Sequence, residues 1–254
     1  AATCRECRVE ATVLDAADRV MSRVASPWVS QFYEAEHARH GVDIRCGVRV
    51  AAFVPEPVGA AIQPGTARVA AVQLDDGTRV PADFVLVAIG VSPNEGLARD
   101  AGIGCDNGIL VNEHCQTSDP LVYAAGDCAR HPSPHYGAQV LLESVDNAFE
   151  QATSAALNMM GIATVHDKVP WFWSDQYDLK MIIVGLAQGQ DHAVLRGDPA
   201  TRSFSVCYLR EGELIAVDTV NAAKDQLSAR KLIPARARPD PRRLADPAIA
   251  LKDC

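Results

Sequence analysis

The sequence is poor in aromatic residues, in basic charge and in long apolar runs. Only 6% of its 254 residues are aromatic, and 24 lysines and arginines stand against 32 acids, for a formal net charge of −8. A nucleic-acid-binding protein needs a basic face that neutralises phosphates, so this composition argues against that class. The sequence holds no apolar run of about 18 residues and does not begin like a signal peptide, so we expect neither a membrane span nor secretion.

The eight cysteines are scattered and lack the dense framework of small disulfide-rich secreted domains. We therefore expect reduced thiols in a cytoplasmic protein. Cys4 and Cys7 form a Cys-x-x-Cys pair, and Cys128, His131 and His135 have a metal-like spacing. The first pair has no partner pair, and the second group lies in a predicted loop with two prolines. We interpret both groups as incidental and predict no metal site.

The first part of the sequence alternates strand and helix signals, which is typical of an α/β fold. Ser26 and Pro27 predict the start of a helix over 28–40, and Gly41 predicts its end. Short apolar runs predict strands, and two of these runs favour strands that are buried on both faces. The predicted strands cover 11–14, 42–46, 48–54, 68–74 and 84–89, of which the first and the last are the buried ones.

The middle of the sequence predicts strands over 108–111 and 121–125 and then a loop that contains Pro132 and Pro134. Ser144 predicts the start of a helix that runs to about Met160. Its predicted apolar face consists of Val145, Ala148, Ala152, Ala155 and Ala156. After residue 165, strands near 180–187, 192–197, 203–209 and 213–219 and a helix over 222–233 predict a separate α+β unit.

The run from Thr117 to Asp127 carries the strongest functional signal. It predicts a strand that delivers a glycine and an aspartate at its carboxyl end, where doubly wound sheets bind ligands. Gly126 lets the backbone approach a ligand closely, and Asp127 can accept hydrogen bonds from the hydroxyls of a sugar or ribityl chain. A strand-ending turn with a capping aspartate would explain the Gly-Asp pair but not the full run.

Four segments together resemble the FAD-dependent ferredoxin reductase family of bacterial oxygenase systems. They are 117–127, 142–148, 170–177 and 216–221, and the first is similar to the second FAD-binding signature of flavoproteins with two dinucleotide-binding domains. The resemblance implies an α/β fold with partial Rossmann-like NAD and FAD domains and a C-terminal α+β reductase domain. It implies a division into residues 1–104, 105–163 and 164–254 respectively.

The resemblance implies a flavin site built from two of these domains. Asp127, directly after Gly126, would hold the ribityl hydroxyls of FAD. Val145, at the start of the helix that Ser144 begins, would lie beside the flavin ring, where the helix dipole stabilises negative charge. Trp173 would pack against the isoalloxazine as a flat apolar wall, with core packing as the open alternative.

The resemblance also implies a site for NADH. Asp15 stands where the family has an acid that binds the adenosine ribose, and an acid there disfavours the 2′-phosphate of NADPH. Arg23 would reach the adenosine or phosphate side, with an ordinary surface arginine as the alternative. Ala88, Ile89 and Gly90 resemble the segment that lies beside the bound nicotinamide nucleotide.

The implied activity is NADH:ferredoxin oxidoreduction, in which FAD passes electrons to a [2Fe–2S] ferredoxin that serves a P450 or a ring-hydroxylating oxygenase. No side-chain nucleophile or base is required, so we predict no catalytic residue. The sequence contains neither of the two Gly-x-Gly-x-x-Gly loops that would bind the pyrophosphates, so we expect a fragment that binds FAD weakly by itself. The alternatives are another member of the wider disulfide oxidoreductase superfamily and a non-catalytic truncated product.

A group of basic residues near the C-terminus contrasts with the acidic composition. We interpret it either as a solvated tail or as a docking patch for an acidic ferredoxin, because opposite potentials accelerate encounter. The group consists of Arg230, Lys231, Arg236, Arg238, Arg242 and Arg243.

Overall fold

The computed structural model describes residues 1–56 and 68–254, which form two compact units, 1–90 and 91–254. Within this part of the chain, no helix combines the length and the apolarity needed to cross a membrane. The predicted boundaries at residues 104 and 163 both fall inside the second unit, and they stay predictions.

The first unit contains a parallel strand pair with a helical crossover and a small antiparallel sheet. Val13 pairs with Ile44 in the parallel pair β1–β2, and the antiparallel sheet has the order β3-β4-β5. In chain order the elements are α1 (Ala2–Glu6), β1 (Thr12–Leu14), α2 (Pro27–Arg39), β2 (Asp43–Arg45), β3 (Val50–Pro55), β4 (Val69–Leu74) and β5 (Arg79–Pro81).

The crossover helix α2 begins and ends where the sequence predicts. The Ser26 hydroxyl accepts a hydrogen bond from the Val29 amide at 3.4 Å, Pro27 is the first helical residue, and Gly41 follows the helix with φ at +74°. Capping by Ser26 satisfies an amide that the helix itself leaves unpaired, and glycine adopts the left-handed conformation without steric cost. These local signals explain why the predicted bounds are confirmed.

The apolar run 84–89 is not the doubly buried strand that we predicted. None of its residues pairs with a described strand, and Leu86 and Ile89 are 82% and 91% exposed. Only Val85 packs against the small core of the antiparallel sheet. Strand β1 is also less buried than predicted, because the only parallel pairing described in this unit joins it to β2. Continuous apolarity leads to burial only where partner elements cover both faces of a strand.

The second unit begins with a small mixed sheet and ends with a larger antiparallel one. The small sheet has the order β6-β7-β8, and the large sheet has the order β11-β12-β13-β10-β9. The elements are α3 (Gly96–Asp100), β6 (Ile109–Leu110), β7 (Ala129–Ser133), β8 (Ala138–Leu141), α4 (Val145–Met159), β9 (Trp171–Gln176), β10 (Leu179–Gly185), β11 (His192–Asp198), β12 (Ser203–Arg210), β13 (Glu213–Val220), α5 (Ala223–Leu232) and α6 (Pro241–Ala245).

The structure confirms the four strands and the helix that the sequence predicts after residue 165 and adds strand β9 and helix α6. Its core joins side chains of the strands to side chains of α5, α6 and the C-terminal segment. The hairpin turn between β12 and β13 falls on Glu211 and Gly212, which both have positive φ. The fully buried members of this core include Cys207, Leu209, Leu214, Val217, Ala229, Leu244 and Leu251.

Two predictions for the middle of the chain are wrong. The segment 121–125 is not a strand. Tyr123 makes one isolated bridge with Gln116, and Leu121 is 88% exposed. The predicted proline loop is instead strand β7, which pairs with β8 around Pro132. Proline has no backbone N–H, but β6 pairs only with the first two residues of β7. Pro132 therefore interrupts no hydrogen bond between β6 and β7.

Helix α4 has the predicted start but a different buried face. Ser144 caps it through the Asn147 amide at 3.2 Å, and Gly161 follows it with φ at +80°. Of the predicted apolar face, Ala155 is buried and Ala148 is half-buried, whereas Val145, Ala152 and Ala156 are exposed. The side chains that α4 buries are those of Asn147, Gln151, Ser154 and Ala155.

Candidate functional site

The Gly126–Asp127 turn lies against the first two turns of α4. Gly126 has φ at +79°, and a β-carbon on it would come within 3.4 Å of the Ala148 β-carbon. Its amide donates a hydrogen bond to Oε1 of Gln151 at 2.8 Å. Asp127 is exposed beside this contact. Glycine is therefore needed both for the backbone conformation and for the close packing that presents Asp127.

The start of α4 presents an apolar side chain next to its amide end. Ser144 satisfies one amide of the first turn, and the side chain of Val145 projects with 69% of its area exposed. Backbone amides at a helix start carry partial positive charge, which favours a negative group nearby. A planar apolar ligand with a polar edge can therefore contact both Val145 and this helix end.

Strand β9 brings a tryptophan to the same region. Trp171 hydrogen-bonds the Asp146 carboxyl in the first turn of α4, and its ring centroid lies 5.3 Å from that of Trp173. Burial raises the pKa of Asp146, and the hydrogen bond from Trp171 opposes that shift. Trp171 packs on the core, with the Arg230 guanidinium carbon 3.8 Å from the centre of its ring, whereas Trp173 is 45% exposed.

These contacts connect the three elements that carry the predicted flavin-side residues, and we call the exposed groups of those residues the flavin-side surface. Asp127 follows Gly126, which packs on α4, and Val145 is the first residue of α4. Trp173 lies beside Trp171, which hydrogen-bonds Asp146 of α4. The surface combines an exposed carboxylate, a helix start, an exposed aliphatic side chain and an exposed aromatic ring. That set of groups fits the ribityl chain and ring of a flavin, and the individual roles stay predictions.

The predicted NADH-side residues lie in the first unit. The Asp15 carboxylate accepts a hydrogen bond from the Ala17 amide at 2.9 Å, directly after β1, while its backbone amide bonds the carbonyl of Arg45 on β2 at 3.0 Å. Arg23 is exposed in the loop between β1 and α2. Asp15 thus has a fixed place at the carboxyl end of a parallel pair, and its ribose role stays a prediction.

The segment Ala88-Ile89-Gly90 ends the first unit in an exposed, irregular conformation. Gly90 has φ at +101°, and a β-carbon on it would meet no atom within 4 Å. The structure therefore leaves this segment open, and its predicted place beside nicotinamide stays a prediction.

Sequence reasoning missed Arg19, which organises the loop that carries Arg23. Its guanidinium donates to the carbonyls of Ser22 and Ala25 at 3.1 and 2.8 Å and to the Ser30 hydroxyl at 2.6 Å. The Arg19 side chain therefore links two carbonyls of the loop to each other and to Ser30 of α2. No periodic pattern marks such a residue, because its partners are mainly backbone carbonyls.

Two buried histidines lie close to the flavin-side surface, and of the two only His131 is named from the sequence, as part of an incidental group. The His131 and His166 rings are 4.7 Å apart, and each is 3% exposed. Burial, assisted by His166, lowers the pKa of His131 to about 4, and burial also lowers the pKa of His166. His135 instead bonds the Asp167 carbonyl, and the described residues contain no cluster able to hold a metal ion.

We expect the stability of the second unit to fall as the pH drops from 7 to 5. The folded pKa of His131 lies below the unfolded value of 6.5, so the unfolded chain binds a proton first. Its contribution to stability is present above pH 6.5 and is lost as the pH falls towards 4. His131 alone accounts for about 2 kcal/mol between pH 7 and pH 5.

Urea unfolding at both pH values measures this loss. His131→Phe removes the titrating ring and should reduce the pH-dependent loss by about 2 kcal/mol. His192→Gln, at an exposed histidine of the same unit, is the matched control and should behave like the wild type. An equal pH dependence in wild type and His131→Phe would contradict the prediction.

Two protein families match the chain. Pyridine nucleotide-disulphide oxidoreductase matches residues 1–155, and Reductase C-terminal matches residues 171–254. The predicted combination of a Rossmann-like dinucleotide-binding region with a C-terminal reductase domain is therefore confirmed. The further division of the first region into NAD and FAD parts stays a prediction.

Similar proteins include two bacterial reductases. The 5,5'-dehydrodivanillate O-demethylase ferredoxin reductase subunit of Sphingobium sp. is 47% identical over 96% of this chain and 58% of its own length. Putidaredoxin reductase CamA of Pseudomonas putida is 44% identical over 100% of this chain and 58% of its own length.

The crystal structure of the covalent putidaredoxin reductase–putidaredoxin complex superposes with a TM-score of 0.92 at 44% identity, over 99% of this chain and 58% of that one. The chain thus spans less than two thirds of the length of the relatives it matches. It belongs to the pyridine nucleotide-disulphide oxidoreductases, and over the residues that they share it is similar to ferredoxin reductases.

Proposed function

We propose that the protein is an FAD-dependent NADH:ferredoxin oxidoreductase. The observation that carries this proposal is the surface formed by the Asp127 turn, the start of α4 and Trp173 in a chain of this family. When bound, FAD would accept a hydride equivalent from NADH and release single electrons. The side chains of the protein would bind, orient and shield the cofactor, and none is needed to form or break a bond.

Each flavin-side residue would make a different kind of contact. The Asp127 carboxylate would accept hydrogen bonds from the ribityl hydroxyls. Val145 would contact the ring, and the adjacent amides of α4 would stabilise negative charge at its polar edge. Trp173 would cover the isoalloxazine and exclude water from it.

The NADH side would rest on Asp15, with Arg23 and the segment Ala88-Ile89-Gly90 as further contacts. The fixed Asp15 carboxylate would accept a hydrogen bond from the ribose 2′-hydroxyl and repel a 2′-phosphate. This arrangement supports NADH rather than NADPH as the electron donor.

The electron acceptor would be an acidic [2Fe–2S] ferredoxin that feeds a P450 or a ring-hydroxylating oxygenase. A relative at 44% identity is known in a covalent complex with putidaredoxin, which supports a ferredoxin partner. Four of the six basic residues near the C-terminus already have contacts within the chain, namely Arg230, Arg236, Arg238 and Arg243. All six remain exposed, so they keep their positive potential for docking.

The test is NADH-dependent reduction of a [2Fe–2S] ferredoxin by the full-length protein loaded with FAD. Asp15→Ser should raise the NADPH-to-NADH ratio of kcat/KM by about tenfold or more, because the repulsion of the 2′-phosphate is removed. Asp18→Ser, at an exposed acid in the same loop, is the control and should leave the ratio unchanged. Absence of NADH-dependent ferredoxin reduction in the wild type would refute the proposed function.

A further inference from the structure

The face of α4 that packs inward is polar, and its side chains form a directed set of hydrogen bonds. Asn147 and Gln151, one helical turn apart, are 3% and 0% exposed. Nδ2 of Asn147 donates to Oε1 of Gln151 at 3.3 Å and to the Leu142 carbonyl at 3.2 Å. Buried amides are tolerated only where such partners exist, so this face has a specific structural role.

The orientation of each amide in this set follows from its neighbours. Oε1 of Gln151 receives the Gly126 amide at 2.8 Å and the Asn147 amide at 3.3 Å, so this atom must be the oxygen. Oδ1 of Asn147 lies 3.1 Å from Nε2 of His166, which therefore carries the hydrogen. The sequence of bonds runs from His166 through Asn147 to Gln151, which accepts from Gly126.

The Gly126 turn depends on this external hydrogen bond. Its left-handed conformation places the amide towards α4, and Gln151, 25 residues further along the chain, supplies the acceptor. Without that oxygen, the buried amide of Gly126 would lose its partner, and the turn would relax towards water. Asp127 is the next residue, so any rotation of the turn changes the direction of its carboxylate.

We propose that Gln151 is a positioning residue, which fixes the Gly126 turn through its side-chain oxygen and thereby directs Asp127 towards the ribityl hydroxyls of FAD. The part of this inference that concerns FAD rests on the proposed function. Asn147 and His166 hold the Gln151 amide in the orientation that presents oxygen to Gly126. These residues touch no reacting atom and act only through the turn.

The experiment compares three variants of helix α4 in the full-length protein. Gln151→Met removes the acceptor at nearly constant length, and Gln151→Glu keeps an acceptor oxygen. Asn158→Leu is the matched control, because Asn158 is an amide on the same helix that bonds His114, Ser154 and Thr164 but not the turn. The first readout is the hydrogen-exchange rate of the Gly126 amide, which is measured by ¹H–¹⁵N NMR spectroscopy.

We expect exchange at Gly126 to accelerate by about tenfold or more in Gln151→Met relative to the wild type and to Asn158→Leu. Gln151→Glu should retain the wild-type rate within a factor of about two. Gln151→Asn, whose oxygen is one methylene short, should behave like Gln151→Met and replaces it if that variant does not fold. Unchanged exchange in Gln151→Met, or equal acceleration in Asn158→Leu, would overturn the proposal.

The second readout is FAD affinity, measured by quenching of flavin fluorescence. In Gln151→Met the dissociation constant should rise about tenfold, while Asn158→Leu should match the wild type. If exchange at Gly126 responds as expected but the full-length wild type binds no FAD, Gln151 still sets the turn and the proposed function fails. If FAD binds the wild type and Gln151→Met equally well, Gln151 does not position Asp127 and the inference is refuted.

Discussion

Replacing Gly185 by alanine is expected to destabilise the second unit by at least about 3 kcal/mol. Gly185 is the last residue of β10 and has φ at +83°. A β-carbon there would lie 2.2 Å from the Ile215 carbonyl oxygen and 3.0 Å from the α-carbon of Ala216. Both are backbone atoms of β13. This strand is hydrogen-bonded to β12 on one side and to β10 on the other, so it cannot shift away from the new β-carbon.

The side chain of Tyr136 closes the remaining space. Its hydroxyl donates to the Ile215 carbonyl at 3.2 Å, accepts from the Leu186 amide at 2.9 Å, and would lie 2.9 Å from the new β-carbon. Burial raises the pKa of Tyr136 to about 12, so this hydroxyl stays protonated and keeps donating at neutral pH. An alanine at residue 185 would therefore displace a strand and break the tyrosine contacts.

Urea unfolding of Gly185→Ala and Gly189→Ala separates the clash from the backbone strain. Gly189 has a similar φ of +79°, but a β-carbon on it would meet nothing closer than 3.9 Å. We expect Gly189→Ala to lose about 1 kcal/mol, which is the cost of the left-handed conformation alone. Equal losses in the two variants would show that the contact with β13 is not limiting.

Local signals in the sequence predict the elements whose determinants are local. Ser26 and Ser144 cap their helices through amides three residues away, and Gly41 and Gly161 end them, so the bounds of α2 and α4 follow from short segments. Short turns join the antiparallel strands of the large sheet, and the sequence predicts four of these five strands for the same reason.

The errors concern features that depend on distant partners. The run 84–89 is as apolar as a buried strand, but the described part of the chain pairs no strand with it. Helix α4 buries Gln151 because Gly126, 25 residues earlier, supplies a donor. Periodicity predicts which face is apolar, and only the tertiary contacts decide which face is inside.

The candidate site was predicted from the resemblance rather than from the pattern of residues. Composition and spacing do not distinguish Trp173, which is exposed, from Trp171, which packs on the core. The resemblance named Asp127 and Val145, but not the buried amides beneath them. Supporting residues of this kind can be identified only when the positions of both hydrogen-bond partners are known.

Replacing Arg196 by methionine is expected to cost about 3–5 kcal/mol and to release the C-terminal segment. Arg196 is 4% exposed on β11, and its Nε bonds the Asp225 carboxylate of α5 at 2.8 Å. The remaining guanidinium nitrogens donate to the carbonyls of Leu244, Asp246 and Ile249 at 3.1, 2.6 and 2.5 Å. One side chain therefore ties a strand, a helix and the end of the chain together.

The geometry also predicts that lysine cannot replace Arg196. A guanidinium directs five donors in a planar fork, whereas an ammonium concentrates three donors at one point and cannot reach four separated oxygens. Arg196→Lys should thus lose most of the same stability. Lys168→Met, at an exposed ion pair with Glu150, is the control and should change stability by less than about 1 kcal/mol.

The stability lost in Arg196→Met has two components, the unpaired Asp225 carboxylate and the three carbonyls left without a donor, and a double variant separates them. Among the described contacts, Arg196→Met leaves the half-buried Asp225 carboxylate with the Ser205 hydroxyl at 2.8 Å, and Arg196→Met with Asp225→Asn removes that unpaired charge. We expect the double variant to regain about 1–2 kcal/mol. Hydrogen exchange over residues 244–254 should remain fast in both variants, because neither restores donors to the three carbonyls. Slow exchange in the double variant would mean that the C-terminal segment is held by its apolar contacts, with Arg196 contributing only to the charge balance of α5.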